Sequence, residues 1–271
     1  MGEKKIHVQA HRGACSEFVE NTLPSFERAV ELKVDSIELD VQLTKDGEVV
    51  VFHDFDITPE WCRDNLGNPL ASSMPIWKIN LAEIQELEIR IDRRLTHKRE
   101  LLDLEKKIPT LREVFLKMKQ WNQNSLHPIG LDIEIKRKEF NDPEAPSVEI
   151  IVQKVIAEIN QYWDIGNAVV RSFDFSVLEE MKRQAPQIPI AVLTYQTEIP
   201  YLEICQKFHP KILAPFFKSI STNEISEVRA AGVEVWPYTV NTVQEFERMI
   251  SAGVSGLTTD NPKGLIEFLN Q

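Results

Sequence analysis

Acidic residues alternate with apolar ones in two short segments of the sequence. In a β-strand, Glu38 and Asp40 would point to one face and their apolar neighbours to the other, and Glu134 would hold an equivalent place in the second segment. Converging carboxylates repel one another in a low dielectric unless they are protonated, paired with cations or bound to a metal ion. The pattern therefore predicts either a divalent metal site or an interior layer of ion pairs in which Lys136 neutralises the acids.

A metal site built from Glu38, Asp40 and Glu134 would offer oxygen ligands only. Such a donor set favours Mg²⁺, Ca²⁺ or Mn²⁺ over zinc, which prefers nitrogen and sulfur. The 3 cysteines are odd in number and lack the spacing of a zinc site or a disulfide framework, so we expect free thiols.

Two histidines follow apolar runs directly, His11 near the start of the chain and His53 further along. In barrel enzymes the residues at the C-terminal ends of strands form the active site. The ordinary pKa of histidine, about 6.5, lets one copy act as a base and another as an acid near neutral pH. Beside a metal site, the pair predicts proton transfer, whereas either histidine alone would be equally well explained as structural.

Short apolar runs rich in β-branched residues alternate with longer amphipathic segments along the chain, which is the pattern of repeated βα units. Eight such units predict an α/β fold of the closed (β/α)8 TIM-barrel type, which commonly occupies about 250 residues. The predicted barrel strands are 6–10, 36–41, 129–136, 168–172, 188–193, 212–215, 233–238 and 256–258.

The region from about 54 to 107 does not fit this repeat. It follows an extra predicted strand at 49–52 and contains the turn-rich segment 65–69 and a charged run at 92–107. A structureless connection of that length inside a compact domain is improbable. We therefore expect one domain over 1–271 with a small insertion subdomain over one end of the barrel.

The charge of the chain limits its partners. With 31 basic and 42 acidic residues the net charge is −11, which repels nucleic acid and anionic membrane surfaces. An anionic substrate therefore needs a local positive site, for which Arg12 and Lys136 are the candidates. Neither a secretory signal nor a long apolar run is found, so we expect a cytoplasmic protein without stable membrane association.

Short motifs are spread over nearly the whole chain: His11-Arg12-Gly13, Glu20-Asn21-Thr22, Glu38-x-Asp40, Asp46-Gly47, His53-Asp54, Glu134-x-Lys136, Ser172-Phe173, Trp236 with Thr239-Val240-Asn241, and Thr259-Asp260 before Pro262. In order and spacing they resemble those of the glycerophosphodiester phosphodiesterase family. The resemblance implies a TIM barrel with a small insertion after the second strand. It also implies hydrolysis of small-molecule phosphodiesters, such as glycerophosphocholine, to glycerol 3-phosphate and an alcohol.

The resemblance implies roles for the catalytic and metal-binding residues. His11 and His53 match the family's acid/base pair. The family's metal ligands match Glu38, Asp40 and Glu134, which are the carboxylates singled out by the alternation.

Further roles concern substrate binding. Arg12 and Lys136 match positions that contact the phosphate. Trp236 matches an aromatic residue that lines the substrate pocket, and Asn21 matches a supporting position in the first loop. Asn21 also has a structural reading as a cap or turn residue, and Trp236 as a residue that fills the barrel mouth.

The sequence departs from the family pattern outside these positions. Val19 stands where proline is common, Lys33 where a helix-ending glycine is usual, and Pro237-Tyr238 lengthens the tryptophan motif. The segment 55–59 lacks the usual arginine-threonine stretch after His-Asp. Because the insertion leaves the barrel after His53, we expect it to overhang the leaving group, and its charged composition predicts small polar alcohols over acylated ones.

Other functions fit the same residues. An exposed apolar insertion would favour a lysophospholipase D acting on single-chain phospholipids, and 74–77 offers some apolar surface. In another reaction class, Lys136 would form a Schiff base in an aldolase-type barrel, although neighbouring carboxylates would raise its pKa. A phosphodiester-binding barrel without catalytic activity would keep the same residues.

Overall fold

The computed structural model describes residues 6–89, 106–123, 125–137 and 142–271. The strands are β1 (His7–His11), β2 (Ser36–Leu43), β3 (Val49–Val51), β4 (Asp56–Ile57), β5 (Cys62–Arg63), β6 (Met74–Pro75), β7 (Glu88–Ile89), β8 (Gly130–Ile135), β9 (Ala168–Ser172), β10 (Ile190–Thr194), β11 (Ile212–Pro215), β12 (Glu234–Val235) and β13 (Gly256–Thr259). The α-helices are α1 (Leu23–Glu31), α2 (Leu81–Gln85), α3 (Leu111–Asn122), α4 (Val148–Tyr162), α5 (Phe175–Gln184), α6 (Tyr201–Phe208), α7 (Thr222–Ala230), α8 (Val243–Ser251) and α9 (Pro262–Leu269).

Eight parallel strands form the barrel wall in the order β12-β11-β10-β9-β8-β2-β1-β13. The two strands at the ends of this order, β12 and β13, are joined by isolated backbone hydrogen bonds at and beside their ends. These run from Ser255 N to Val235 O (3.1 Å) and from Thr258 N to Pro237 O (3.1 Å). The predicted TIM barrel is confirmed. The strand predicted over 233–238 is shorter than expected, because Pro237 has no N–H to donate to a neighbouring strand.

Side chains alternate between the two faces of the barrel wall. On β2, the apolar residues pack outward in the main core, while Glu38, Asp40 and Gln42 occupy the buried inward positions. The interior itself has two halves. Apart from Arg171, the half formed by β9 to β12 is mostly apolar, whereas inward positions on β1, β2 and β8 are mostly polar. The apolar half contains Val169, Ala191, Leu193, Ile212, Ala214 and Trp236.

The extra strand β3 pairs antiparallel with β2, with Val41 opposite Val51. The insertion follows it and contains two short antiparallel ladders, β4 with β6 and β5 with β7. It has its own apolar core, which includes Ile57, Cys62 and Ile76. Most of the charged run at 92–107 lies outside the described residues. Within the described part of the chain, no helix is long and apolar enough to cross a membrane.

The turn after β1 places the His-Arg-Gly motif over the barrel. Arg12 and Gly13 both adopt positive φ, 55° and 83°. A Cβ on Gly13 would collide with Ser25 Oγ and lie 2.8 Å from the Ser25 carbonyl oxygen, so only glycine fits. Ser25 Oγ donates a hydrogen bond to Arg12 O (3.1 Å), which ties the turn to the first helix.

Candidate active site

Three carboxylates converge at the C-terminal ends of two neighbouring strands. Asp40 on β2 lies opposite Glu134 on β8. One oxygen each from Glu38, Asp40 and Glu134 lies within 4.8 Å of the others, and all three side chains are buried. Glu38 Oε1 and Asp40 Oδ1 are buried and accept no hydrogen bond from the described residues. An all-oxygen donor set with unpartnered buried oxygens fits a divalent cation.

Two cations adjoin this carboxylate cluster. Arg12 Nε lies 3.2 Å from Asp40 Oδ2. Lys136 Nζ lies 2.9 Å from Glu134 Oε1 and 3.6 Å from Asp40 Oδ1. The acids therefore converge, as a metal site requires, and are also partly ion-paired, as the other interpretation of the sequence expects.

The pKa values of the two acids on β2 move in opposite directions. Burial acts to raise the pKa of Asp40, but Arg12 and Lys136 outweigh it and lower that pKa to about 2. Burial, together with repulsion from Asp40, raises the pKa of Glu38 well above its usual range. An added cation would therefore favour the ionised form of Glu38.

His11 is held from behind by Asp260. His11 Nδ1 lies 2.6 Å from Asp260 Oδ1, and Asn241 Nδ2 donates to Asp260 Oδ2 (2.7 Å). Burial would raise the pKa of Asp260, but the hydrogen bond and charge of His11 lower it far below the usual range. An ionised carboxylate only accepts, so Nδ1 carries the hydrogen and Nε2 faces the site, 3.9 Å from Glu38 Oε2.

His53 is held in a similar way by the residue that follows it. His53 Nδ1 lies 2.7 Å from Asp54 Oδ1. Gln42, buried on β2, donates through Nε2 to Phe52 O (2.9 Å) and Asp54 O (2.6 Å). These bonds fix the backbone on both sides of His53. Because Nδ1 contacts Asp54, Nε2 is the ring nitrogen without a hydrogen-bond partner among the described residues.

A cavity of about 150 Å³ opens between these groups at the C-terminal end of the barrel. It contains most of the predicted site residues, and Asp40 lies beside it through its ion pairs with Arg12 and Lys136. The residues that line it are His11, Arg12, Glu38, His53, Glu134, Lys136, Arg171, Phe173, Leu193, Tyr238 and Thr239.

Two predicted substrate-binding residues lie elsewhere. Asn21 is buried behind Asp40, to which its Nδ2 donates a hydrogen bond (2.8 Å), so it supports an acid of the cluster instead of lining the cavity. The Trp236 ring stacks on the ring of His7, with centroids 4.0 Å apart. His7 is the first residue of β1, at the opposite end of that strand from His11. Trp236 is not among the described residues that line this cavity, and its role in the substrate pocket stays a prediction. Tyr238 lines the cavity, because it is two residues further along and faces the same side of the wall.

Arg171 and Asp260 have no role in the sequence-based site prediction. Arg171 is buried, and its guanidinium donates to Asp132 and to Gln9 Oε1 (2.8 Å) beneath the cavity. A charged residue inside an otherwise apolar predicted strand was the available signal for Arg171. The position of Asp260 directly after the last strand was the signal for its proximity to His11.

Comparisons with known proteins agree with this architecture. The model of the glycerophosphoryl diester phosphodiesterase family matches residues 11–264. A glycerophosphodiester phosphodiesterase from Caldanaerobacter subterraneus subsp. tengcongensis is 32% identical over 269 residues, covering 98% of this chain and 99% of that protein. A human lysophospholipase D is 25% identical, covering 96% of this chain and 85% of that protein.

Among solved structures, an Oleispira antarctica phosphodiesterase in complex with the product sn-glycerol-3-phosphate superposes with a TM-score of 0.81. It is 22% identical and covers 98% of this chain and 97% of its own. These similarities extend over almost the whole chain and define the class, a TIM-barrel phosphodiesterase. The chain belongs to the glycerophosphoryl diester phosphodiesterase family, which confirms the resemblance of its motifs.

Proposed function

We propose that this enzyme hydrolyses glycerophosphodiesters to glycerol 3-phosphate and an alcohol, in a reaction that depends on a divalent metal ion. The observation that supports this proposal most strongly is the convergence of three carboxylates within 4.8 Å of one another. Beside them lie two histidines, each of which contacts an aspartate through Nδ1. The product complex of the Oleispira antarctica phosphodiesterase supports glycerol 3-phosphate as a product.

Glu38, Asp40 and Glu134 would hold the metal ion. We expect Mg²⁺ or Ca²⁺, with Mn²⁺ as a third candidate, because all the donors are oxygens. When bound, the ion supplies positive charge that stabilises developing negative charge on the phosphoryl and attacking oxygens.

Arg12 and Lys136 provide fixed positive charge at the cavity. The backbone N–H of Arg12 donates to Glu38 Oε2 (3.0 Å), and its guanidinium contacts Glu20 (2.8 Å) as well as Asp40. The planar guanidinium suits contact with two phosphate oxygens, whereas Lys136 acts as a point charge. Both residues bind and orient the diester against the histidines.

His11 and His53 transfer protons at Nε2. In each ring, Nδ1 is committed to a carboxylate, so Nε2 is the atom that gains or loses a proton during the reaction. One histidine takes the proton of the attacking oxygen, and the other gives a proton to the oxygen of the leaving alcohol.

The experiment that tests this function is an assay of glycerol 3-phosphate release from a panel of glycerophosphodiesters, with Mg²⁺, Ca²⁺ and Mn²⁺ supplied separately. We expect release that requires a metal ion. Release that survives exhaustive chelation would contradict the metal dependence, and no release from any diester would contradict the proposed function itself.

A lysophospholipase D activity is the second candidate. The similarity to the human lysophospholipase D supports it. So do exposed apolar side chains on the insertion, namely Trp61 (38% exposed), Leu66 (82%) and Met74 (42%). The comparison of kcat/KM for glycerophosphocholine and for lysophosphatidylcholine below its micellar threshold distinguishes the two activities.

The Schiff-base alternative has no such support. Burial acts to lower the pKa of Lys136, but Glu134 and Asp40 raise it above the usual value. A Schiff-base lysine needs the opposite shift. The cytoplasmic location stays a prediction.

A further inference from the structure

We propose that aromatic rings at the barrel mouth bind a quaternary ammonium group on the leaving alcohol, such as that of choline. The inference rests on the proposed function, to which it adds a substrate class. The rings follow four consecutive strands, β9 to β12, and we call them the aromatic arc: Phe173, Tyr195, Phe216 and Tyr238.

The aromatic arc is continuous. The ring centroids of Phe173 and Tyr238 are 5.8 Å apart, those of Tyr238 and Phe216 are 6.2 Å apart, and those of Phe216 and Tyr195 are 4.8 Å apart. Phe173 and Tyr238 also line the cavity that contains the histidines. Two of the four rings therefore face the catalytic cavity, and ring contacts connect them to Phe216 and Tyr195.

The ring geometry suits a cation. Phe173 and Tyr238 are nearly perpendicular, with an interplanar angle of 85°, so together they form a corner. Tyr238 Oη donates to Thr194 O (3.0 Å), which fixes the hydroxyl in a structural bond and leaves the ring as the contact surface. Ring faces attract cations through their quadrupole, and rings around a methylated ammonium form such corners.

The ring faces of the arc are free of protein cations among the contacts of the described residues. The neighbouring Phe217, by contrast, has Lys218 Nζ 5.2 Å and Arg248 Cζ 5.3 Å from its ring centroid. Two arc residues are also strongly exposed, Phe173 by 42% and Tyr195 by 58%. Exposed large rings beside a catalytic cavity are typical of a ligand contact.

The charged residues of the cavity decide the orientation of the substrate. Arg12 and Lys136 contact the carboxylate cluster, where they attract the phosphate and repel an ammonium group. The four rings of the arc carry no charge, and Arg171, which also lines the cavity, is paired with Asp132. The described lining of the cavity includes Phe173 and Tyr238 but no residue from 54–89, which favours the arc over this part of the insertion as the contact for the leaving alcohol.

The test compares two substrates of equal shape. The first substrate is glycerophosphocholine, whose headgroup ends in a trimethylammonium group. The second is the 3,3-dimethylbutyl ester of glycerol 3-phosphate, in which a neutral tert-butyl group replaces the trimethylammonium group. We expect the wild-type enzyme to favour glycerophosphocholine in kcat/KM by roughly 5- to 30-fold. Equal values for the two esters would overturn the proposal, because shape alone would then account for binding.

Variants locate the preference on the arc. Phe173→Leu and Tyr195→Leu should each lower the ratio of the two kcat/KM values, whereas Phe173→Trp keeps a ring and should keep the ratio. Tyr162→Leu is the matched control, because this ring lies on α4 and already has Arg112 over it at 4.9 Å. If the leucine variants fail to fold, the wild-type ratio still tests the preference for an ammonium group, and equal values for the two esters still overturn the proposal.

The remaining outcomes are distinct. Turnover of all glycerophosphodiesters without a preference for choline overturns this inference alone. No turnover of any diester overturns the proposed function, and this inference falls with it. A preference for lysophosphatidylcholine over glycerophosphocholine that Phe173→Leu and Tyr195→Leu abolish would assign the arc to the acyl chain, which also overturns the proposal.

Discussion

His11 Nδ1 lies 2.6 Å from Asp260 Oδ1, although 249 positions separate the two residues along the chain. They stand at the ends of the first and last barrel strands, β1 and β13, which pair in parallel from His7 opposite Gly256 to Ala10 opposite Thr259. Pairing of the last strand with the first therefore orients the His11 ring. In the proposed mechanism, a change on either strand would affect proton transfer by His11.

Asp260→Asn should lower kcat roughly 10- to 100-fold with little change in KM. The amide that replaces the carboxylate can donate to Nδ1 and so favours the tautomer in which Nε2 carries the hydrogen. Steady-state kinetics on glycerophosphocholine check this expectation. An unchanged kcat would show that Asp260 does not position His11.

His11→Ala and His53→Ala should each lower kcat on the order of 100-fold or more while the protein still folds. The double variant should lose less than the product of the single losses, because the two residues act in one reaction. His127→Ala, an exposed position, is the control. Near-wild-type turnover of either single variant would make that histidine structural.

Mg²⁺ or Ca²⁺ should raise the melting temperature of the wild-type protein. A ligand that binds only the native state at one hundred times its Kd adds about 2.7 kcal/mol to the free energy of unfolding. Glu38→Gln should abolish this thermal shift, whereas Glu227→Gln on α7 should retain it. An equal shift in Glu38→Gln would argue against the three-carboxylate site.

Asp260 should also shape the acid stability of the protein. Its pKa is lowered in the folded state, so its contribution to stability is complete above the unfolded pKa, near 3.8, and is lost as the pH falls below that value. Relative to Asp260→Asn, the wild type should lose up to about 1.4 kcal/mol of unfolding free energy per pH unit in that range. Urea titrations from pH 5 to 2.5 measure the difference, and parallel curves would contradict it.

Gly13→Ala should destabilise the protein more than Gly232→Ala. Both glycines have positive φ, 83° and 85°, so both variants bear the left-handed conformational cost. At Gly232 a Cβ would meet nothing within 4 Å, whereas at Gly13 it would collide with Ser25. We expect an additional cost of about 1–3 kcal/mol at Gly13, measurable by chemical denaturation. Equal losses would mean that Ser25 moves aside freely.

The sequence predicted what depends on local periodicity. Glu38 and Asp40 share a face because side chains alternate along a strand, and that holds whatever the neighbouring strands are. The placement of His11 and His53 followed from their positions at strand ends. These features need no knowledge of which strands pair.

Two kinds of feature could not be predicted in this way. One depends on which strands pair around the barrel, and the other depends on how far along the barrel axis each residue lies. The contact of Asp260 with His11 exists only because the last strand pairs with the first. Trp236 and Tyr238 face the same side, and only the stagger of the strands decides which one reaches the cavity. The buried pairing of Arg171 with Asp132 likewise depends on a register that no local pattern contains.

The division of the barrel interior into two halves has a consequence for how this enzyme diversifies. The apolar wall comes from one continuous stretch of chain, β9 to β12 at 168–238, while the histidines and the carboxylate cluster precede it. We expect that a chimaera which takes this stretch from a related barrel, with Arg171 kept, would retain the proposed reaction of one parent and acquire the other parent's choice of alcohol.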